Sequence, residues 1–152
     1  MALEYVLYAS ADVATEEILA FMANAVGGEI VGTFVRRDAL EVTAYRDDPG
    51  DEAPIGGMLG FTHRVTATYR LSSRATDEAR DEATRAMIRS VLSFFTRYPS
   101  DGVLLHDDSR IILQPLNGPV VIDSDWEDWT EVPGMSHVVA GLDRRSLPQP
   151  LR

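Results

Sequence analysis

Over the first nine residues, Leu3, Tyr5 and Leu7 fall on one side of an extended chain and Val6 and Tyr8 on the other, which predicts a strand from Leu3 to Ala9, expected to be central. The period then changes. Ile18, Leu19, Met22 and Val26 recur at helical spacing, with Asp12 or Thr15 placed to cap the helix and Gly27-Gly28 to end it. Two strands follow, Glu29 to Arg36 and Ala39 to Arg46, joined at Arg37-Asp38. From Asp47 to Gly57, charges, prolines and paired glycines leave no period at all, and a long, charged, mobile loop is expected.

The cleanest alternation comes next. Phe61, His63, Val65, Ala67, Tyr69 and Leu71 share one face, and Thr62, Arg64, Thr66, Thr68 and Arg70 share the other. One wet face argues for an antiparallel sheet covered on one side only. Thr76 then opens a long helix whose Ala79, Ala83, Met87, Val91, Phe94 and Phe95 form the buried stripe. Its acids (Asp77, Glu78, Asp81, Glu82) lie early and its arginines (Arg85, Arg89, Arg97) late, as the helix dipole favours, and Pro99 closes it.

Three short strands complete the pattern: Val103 to His106, Arg110 to Gln114 and Pro119 to Ile122, with turns at Asp107-Asp108-Ser109 and Asn117-Gly118. Past Trp126 the chain holds Trp129, Pro133-Gly134, a short helix near His137 to Leu142, and a Pro-rich end. The predicted order is β-α-β-β-β-α-β-β-β. It is an α+β arrangement, with two helices packed on one face of a mostly antiparallel sheet. Residues 1–145 are expected to form a single domain and residues 146–152 a frayed tail, with no internal repeat and no low-complexity run.

Composition narrows the function more by exclusion than by indication. With 152 residues, 45% of them hydrophobic, the chain can bury roughly two-thirds of its unfolded surface. A net charge of −10 disfavours nucleic-acid binding, which needs clustered cations to displace counterions, and suits a basic partner. All 14 positive charges are arginines, a bias to which we attach no mechanism. The absence of cysteine removes disulfides, thiolate catalysis and cysteine-based metal sites. The first residues lack a basic leader, and no segment approaches the roughly 18 apolar residues of a membrane span, so a cytoplasmic protein without membrane contact is expected.

No residue constellation anchors an enzyme. Asp123-Ser124-Asp125 resembles the Asp-x-Asp pair that holds a divalent cation in some transferases, which would permit a metal-assisted hydrolase or transferase. An EF-hand loop begun at Asp123 would need Gly and Glu where Asp128 and Gly134 stand, however, and no phosphate-cradling glycine loop accompanies the pair. A solvated acidic corner is the expectation, without bound metal or cofactor. His63, His106 and His137 sit on separate elements without ligand spacing, and His63 reads as a core histidine with one satisfied nitrogen. Ser124 and Ser136 lack a strained nucleophile elbow, so no catalytic residue is assigned. Trp126 and Trp129, three apart and set among acids, would serve either as a partner-binding anchor or as closure of the core over the last strands.

Ala2-Leu3-Glu4-Tyr5, Met87-Ile88-Arg89-Ser90-Val91-Leu92, Asp101-Gly102-Val103-Leu104-Leu105, Ile111-Ile112-Leu113, Val120-Val121-Ile122 and Trp126 together resemble the Sit-type bacterial immunity proteins. The likeness covers the first strand and residues 86–130. Proteins of that family protect the producing cell and its kin from a cognate toxin delivered at cell contact. The resemblance implies a non-enzymatic protein that neutralises a protein toxin by stoichiometric occlusion; it supplies no catalytic residues. Asp123, Asp125, Trp126, Glu127, Asp128 and Trp129 are the expected partner-binding residues, suited to a basic toxin. Self-association as a homodimer or structural adaptor is the remaining alternative.

Overall fold

A computed structural model describes residues 3–48, 60–107, 109–116 and 118–148; most of the expected mobile loop, from residue 49 to 57, lies outside them. The elements run β1 (Leu3–Ala9), α1 (Thr15–Val26), β2 (Glu29–Val31), β3 (Phe34–Arg37), β4 (Leu40–Arg46), β5 (Val65–Leu71), α2 (Asp77–Arg97), β6 (Gly102–His106) and β7 (Arg110–Pro115). After these come β8 (Val120–Asp123), α3 (Asp128–Glu131), α4 (Met135–Val138) and β9 (Asp143–Arg145). All the strands join one sheet in the order β2-β3-β4-β5-β1-β6-β7-β8-β9, which places β1 at its centre as expected. Every pairing is antiparallel except β8 with β9. The fold is α+β.

The alternation in the sequence explains which face is dry. Tyr5, Leu7 and Ala9 of β1, Val42 and Ala44 of β4, and Val65, Ala67, Tyr69 and Leu71 of β5 meet the apolar stripes of α1 and α2 in one continuous core. Ile18 and Met22 of α1 and Met87, Ile88 and Phe94 of α2 are fully enclosed there. The Tyr69 hydroxyl, buried among them, is paired with Ser90 Oγ at 2.8 Å, which satisfies both polar groups. Where β6 begins, the sheet approaches α2 so closely that a Cβ on Gly102 would lie 2.4 Å from Phe95 Cζ and 2.8 Å from the Tyr8 carbonyl. Only glycine fits that crossing.

Several local expectations change. The strand expected from Glu29 to Arg36 folds back at Gly32-Thr33 into the β2–β3 hairpin, with Gly32 at φ 64°, the backbone that glycine-first two-residue turns use. The next turn sits one residue later than expected, at Asp38-Ala39. The long alternating strand begins only at Val65, because residues 61–64 leave the ladder. Neither Asp12 nor Thr15 caps α1: Asp12 pairs with the Arg46 guanidinium at 2.6 Å, and Thr15 Oγ1 accepts from the Arg46 amide. Thr76 does cap α2, accepting from the Ala79 amide.

The sheet's second face is not wholly wet. Val103, Leu105, Ile111, Val121 and Leu147 form a smaller apolar cluster there, joined by Tyr8, Phe61 and Leu116. Leu147 arrives because β9, absent from the expected order, adds in parallel to β8, and just beyond it Ser146 Oγ donates to Asp125 and the Leu147 amide to Asp123, while residues 149–152 of the expected tail lie outside the described residues. No helix among the described residues is long and apolar enough to cross a membrane.

Glu82 is the polar hub of the helical layer. It takes Arg37 at 3.2 Å, Arg85 at 2.8 Å and Arg89 at 2.7 Å, while Arg37 also donates to the Val26 carbonyl at the end of α1 and Arg85 to the Pro133 carbonyl. Burial pushes the Glu82 pKa up, but hydrogen bonds and charge from Arg85 and Arg89 outweigh it and hold the carboxyl at about 2. A depressed folded pKa gives stability that is present above the ordinary carboxylate range and lost as pH falls toward 2. Glu82→Gln is expected to cost on the order of 1 kcal/mol at pH 7, discounted for solvent screening. Urea titrations of both proteins should converge between about pH 5 and pH 2; a gap that stays constant across that window would mean Glu82 acts through packing alone.

Candidate functional site: the acidic corner after β8

The corner is built where β8 ends. The chain turns through Ser124, Asp125, Trp126 and Glu127, with the Trp126 amide bonded to the Asp123 carbonyl, and enters the single turn of α3. Trp129 Nε1 reaches back to donate to that same carbonyl. The Trp129 ring stands edge-on to Trp126 with centroids 4.5 Å apart, Trp126 edge-on to Tyr5, and Tyr5 is stacked on His106 at 4.6 Å. Four aromatic side chains from three parts of the chain thus form the floor of the corner.

Of the six residues expected to meet a partner, the structure buries three. Trp126 is 4% exposed, Trp129 2% and Asp123 1%. Both indoles close the core over the last strands, which is the second of the two roles their spacing permitted. Asp123 accepts the Leu147 amide at 3.1 Å and Arg110 Nη2 at 3.4 Å. The outer ring is different. Asp125 and Glu127 are exposed and Asp128 is half-buried; Asp125 accepts from Ser146 Oγ, and Glu127 stands 4.0 Å from Arg110 Nη1.

Charge accumulates around Asp128. Its carboxyl is pushed above the usual carboxylate range first by burial, then by the charges of Glu127 and Glu131, with Asp81 adding to the effect and His106 opposing it. The Tyr5 hydroxyl is raised too, by burial and then by Asp128 and Asp107. His106 completes the floor with its Nε2 3.4 Å from Asp107 Oδ2. Asp81 of α2 and the Glu127 and Glu131 carboxylates at α3 therefore bear on Asp128, and Asp107 of the β6–β7 turn bears on the Tyr5 hydroxyl beneath it, which gathers negative charge at this corner.

Both oxygens of Asp123 are engaged by protein donors, and Asp125 is tied to Ser146, so the Asp-x-Asp pair does not present two open carboxylates. Among the described residues no group of three or more His, Asp or Glu side chains is placed to hold a metal ion. His137 stays apart at α4, and Ser124 and Ser136 have no histidine partner among the hydrogen bonds of the described residues.

His63 is the histidine with the firmest carboxylate partner, and it lies elsewhere. It is 4% exposed, as a core histidine should be, with Nδ1 2.7 Å from Asp47 Oδ2, which also accepts from Thr66 Oγ1 at 2.8 Å. Sequence reasoning placed Asp47 in a loop and missed this pairing, since nothing in a 16-residue separation signals the contact.

Neither the curated proteins nor the solved structures compared with the chain give a match. A family model does: the one described as SitI3-like matches residues 3–133, which take in β1 through β8, both long helices and the whole acidic corner, and the chain belongs to the SitI3-like family.

Proposed function

We propose that the chain is an immunity protein that binds a cognate bacterial toxin stoichiometrically and neutralises it by occlusion, without catalysis of its own, in the cytoplasm of the cell it protects. The observation that carries this reading is the family match over residues 3–133, in line with the Sit-type resemblance. We read the acidic corner as the contact face. Asp125, Glu127 and Asp128 are the contact groups for a basic toxin, while Asp123, Trp126 and Trp129 hold them in position from below. A fixed negative field speeds encounter with a cationic surface more than it slows escape.

Asp128 supplies a test that separates binding from folding. A carboxyl whose folded pKa is raised destabilises the fold above that pKa, and the cost disappears as pH falls through the ordinary carboxylate range. Asp128→Asn is therefore expected to raise Tm at pH 7 and to match the parent at pH 3. The triple change Asp125→Asn, Glu127→Gln, Asp128→Asn should slow association with the toxin about ten-fold at low salt and change dissociation far less. An unchanged association rate would remove this corner from the account. The proposal as a whole is tested by inducing the neighbouring toxin gene in cells with and without this protein. Growth rescued only in its presence is the expected result; poisoning that the protein leaves untouched would defeat the immunity reading.

A further inference from the structure

From the outer edge of the sheet we infer that β2 is a docking strand for an extended segment of a protein partner, one that presents a basic side chain opposite Glu29 and apolar side chains opposite Ile30 and Val31. The two sheet edges differ. At one, β9 is Asp143, Arg144 and Arg145, all exposed, the charged edge by which proteins discourage strand addition. At the other, β2 carries Ile30 at 49% exposure and Val31 at 37%, two of the four exposed large hydrophobics among the described residues. Because Gly32-Thr33 is a two-residue turn, Val31 and Phe34 form the hydrogen-bonded pair next to it. Alternation then turns the amide and carbonyl of Ile30 outward, toward the open edge.

The partner's sign comes from the ladder that ends there. Register places Glu29, Arg36, Glu41, Arg70 and Glu4 side by side across β2, β3, β4, β5 and β1, alternating in charge. Arg36 pairs with Glu41 and Arg70 with Glu4, each at 3.1 Å, which leaves Glu29 without an ion-pair partner among the described residues. The next rung of the same series is a cation. A second copy of this chain does not supply it. Antiparallel pairing of two β2 strands about Ile30 sets Glu29 against Val31, parallel pairing sets it against another Glu29, and β2 contains no cation. A different polypeptide fits, joined by strand addition as in other edge-recognition complexes.

The inference takes only the source of that segment, the toxin, from the reading above, and its test needs no toxin. The probe is a capped peptide Ser-Thr-Val-Val-Arg-Thr-Ser, which in antiparallel register sets Val, Val and Arg against Val31, Ile30 and Glu29; the control carries Glu in place of Arg. Binding of the first peptide is expected to slow hydrogen exchange at the Ile30 amide. The control should bind at least ten-fold more weakly, and Glu29→Arg should reverse that preference. Binding of neither peptide, equal binding of both, or light scattering that shows a dimer abolished by Ile30→Lys would overturn the inference, the last by assigning the edge to a second copy. A failed growth rescue bears on the immunity reading alone, since the peptide readout does not involve it.

Discussion

Trp129→Ala is expected to cost about 3–5 kcal/mol of folding free energy, the range for emptying a buried aromatic site. The ring is 2% exposed and edge-on to Trp126, so its removal opens a cavity beneath α3 and takes the support from the Trp126–Tyr5–His106 stack. The Asp123 carbonyl also loses its indole donor and keeps the longer bond from the Trp126 amide at 3.3 Å. For a chain of this size the loss corresponds to a Tm lower by about 10 °C. Urea denaturation should show a reduced midpoint with an unchanged slope. Trp129→Phe keeps most of the apolar volume and gives up the N–H bond, and should cost about 1–2 kcal/mol. If Trp129→Ala melts within a degree of the parent, the indole does not pack as described, and it returns to the list of surface anchors for a partner.

How much of this was legible in the sequence depends on the range of the interaction. The central strand, both long helices and the α+β class follow from periodicity alone, because the 3.6 and 2.0 repeats of Ile18 to Val26 and of Val65 to Leu71 are local consequences of which face is dry. The β2–β3 hairpin was missed because Gly32-Thr33 sits inside a run that otherwise favours extended structure, so the turn carried no polar flank to announce it. β9 was missed for a simpler reason: Asp143-Arg144-Arg145 has no apolar alternation, and it pairs only because β8 offers an edge. The candidate site divides the same way. Composition located the acids, but Asp123 and Asp125 look alike in sequence. What buries one and exposes the other is Leu147 and Arg110, contributed by distant segments that no local pattern brings together.

Asp47→Ala should be the second severe substitution, at about 3 kcal/mol, although Asp47 stood in sequence as part of a wet loop. Its carboxylate is 6% exposed and accepts from both His63 Nδ1 and Thr66 Oγ1, while its amide donates to the Arg64 carbonyl. These bonds clip the end of β4 to the start of β5, and Arg64 in turn donates to the Ala9 carbonyl at the end of β1. Truncation takes the carboxylate from two buried groups at once, which costs more than any single bond contributed. Asp47→Asn retains an acceptor oxygen and should recover more than half of the loss. His63→Ala is expected to be similarly harmful, because it leaves a buried carboxylate with only the threonine hydroxyl as a side-chain donor among the described residues. In the double variant Asp47→Ala, His63→Ala the cost should fall short of the sum by at least 1 kcal/mol, the signature of two groups that act as a pair. Strict additivity in that cycle would show that Asp47 and His63 stabilise their segments independently, and that the clip between β4 and β5 rests on backbone bonds alone.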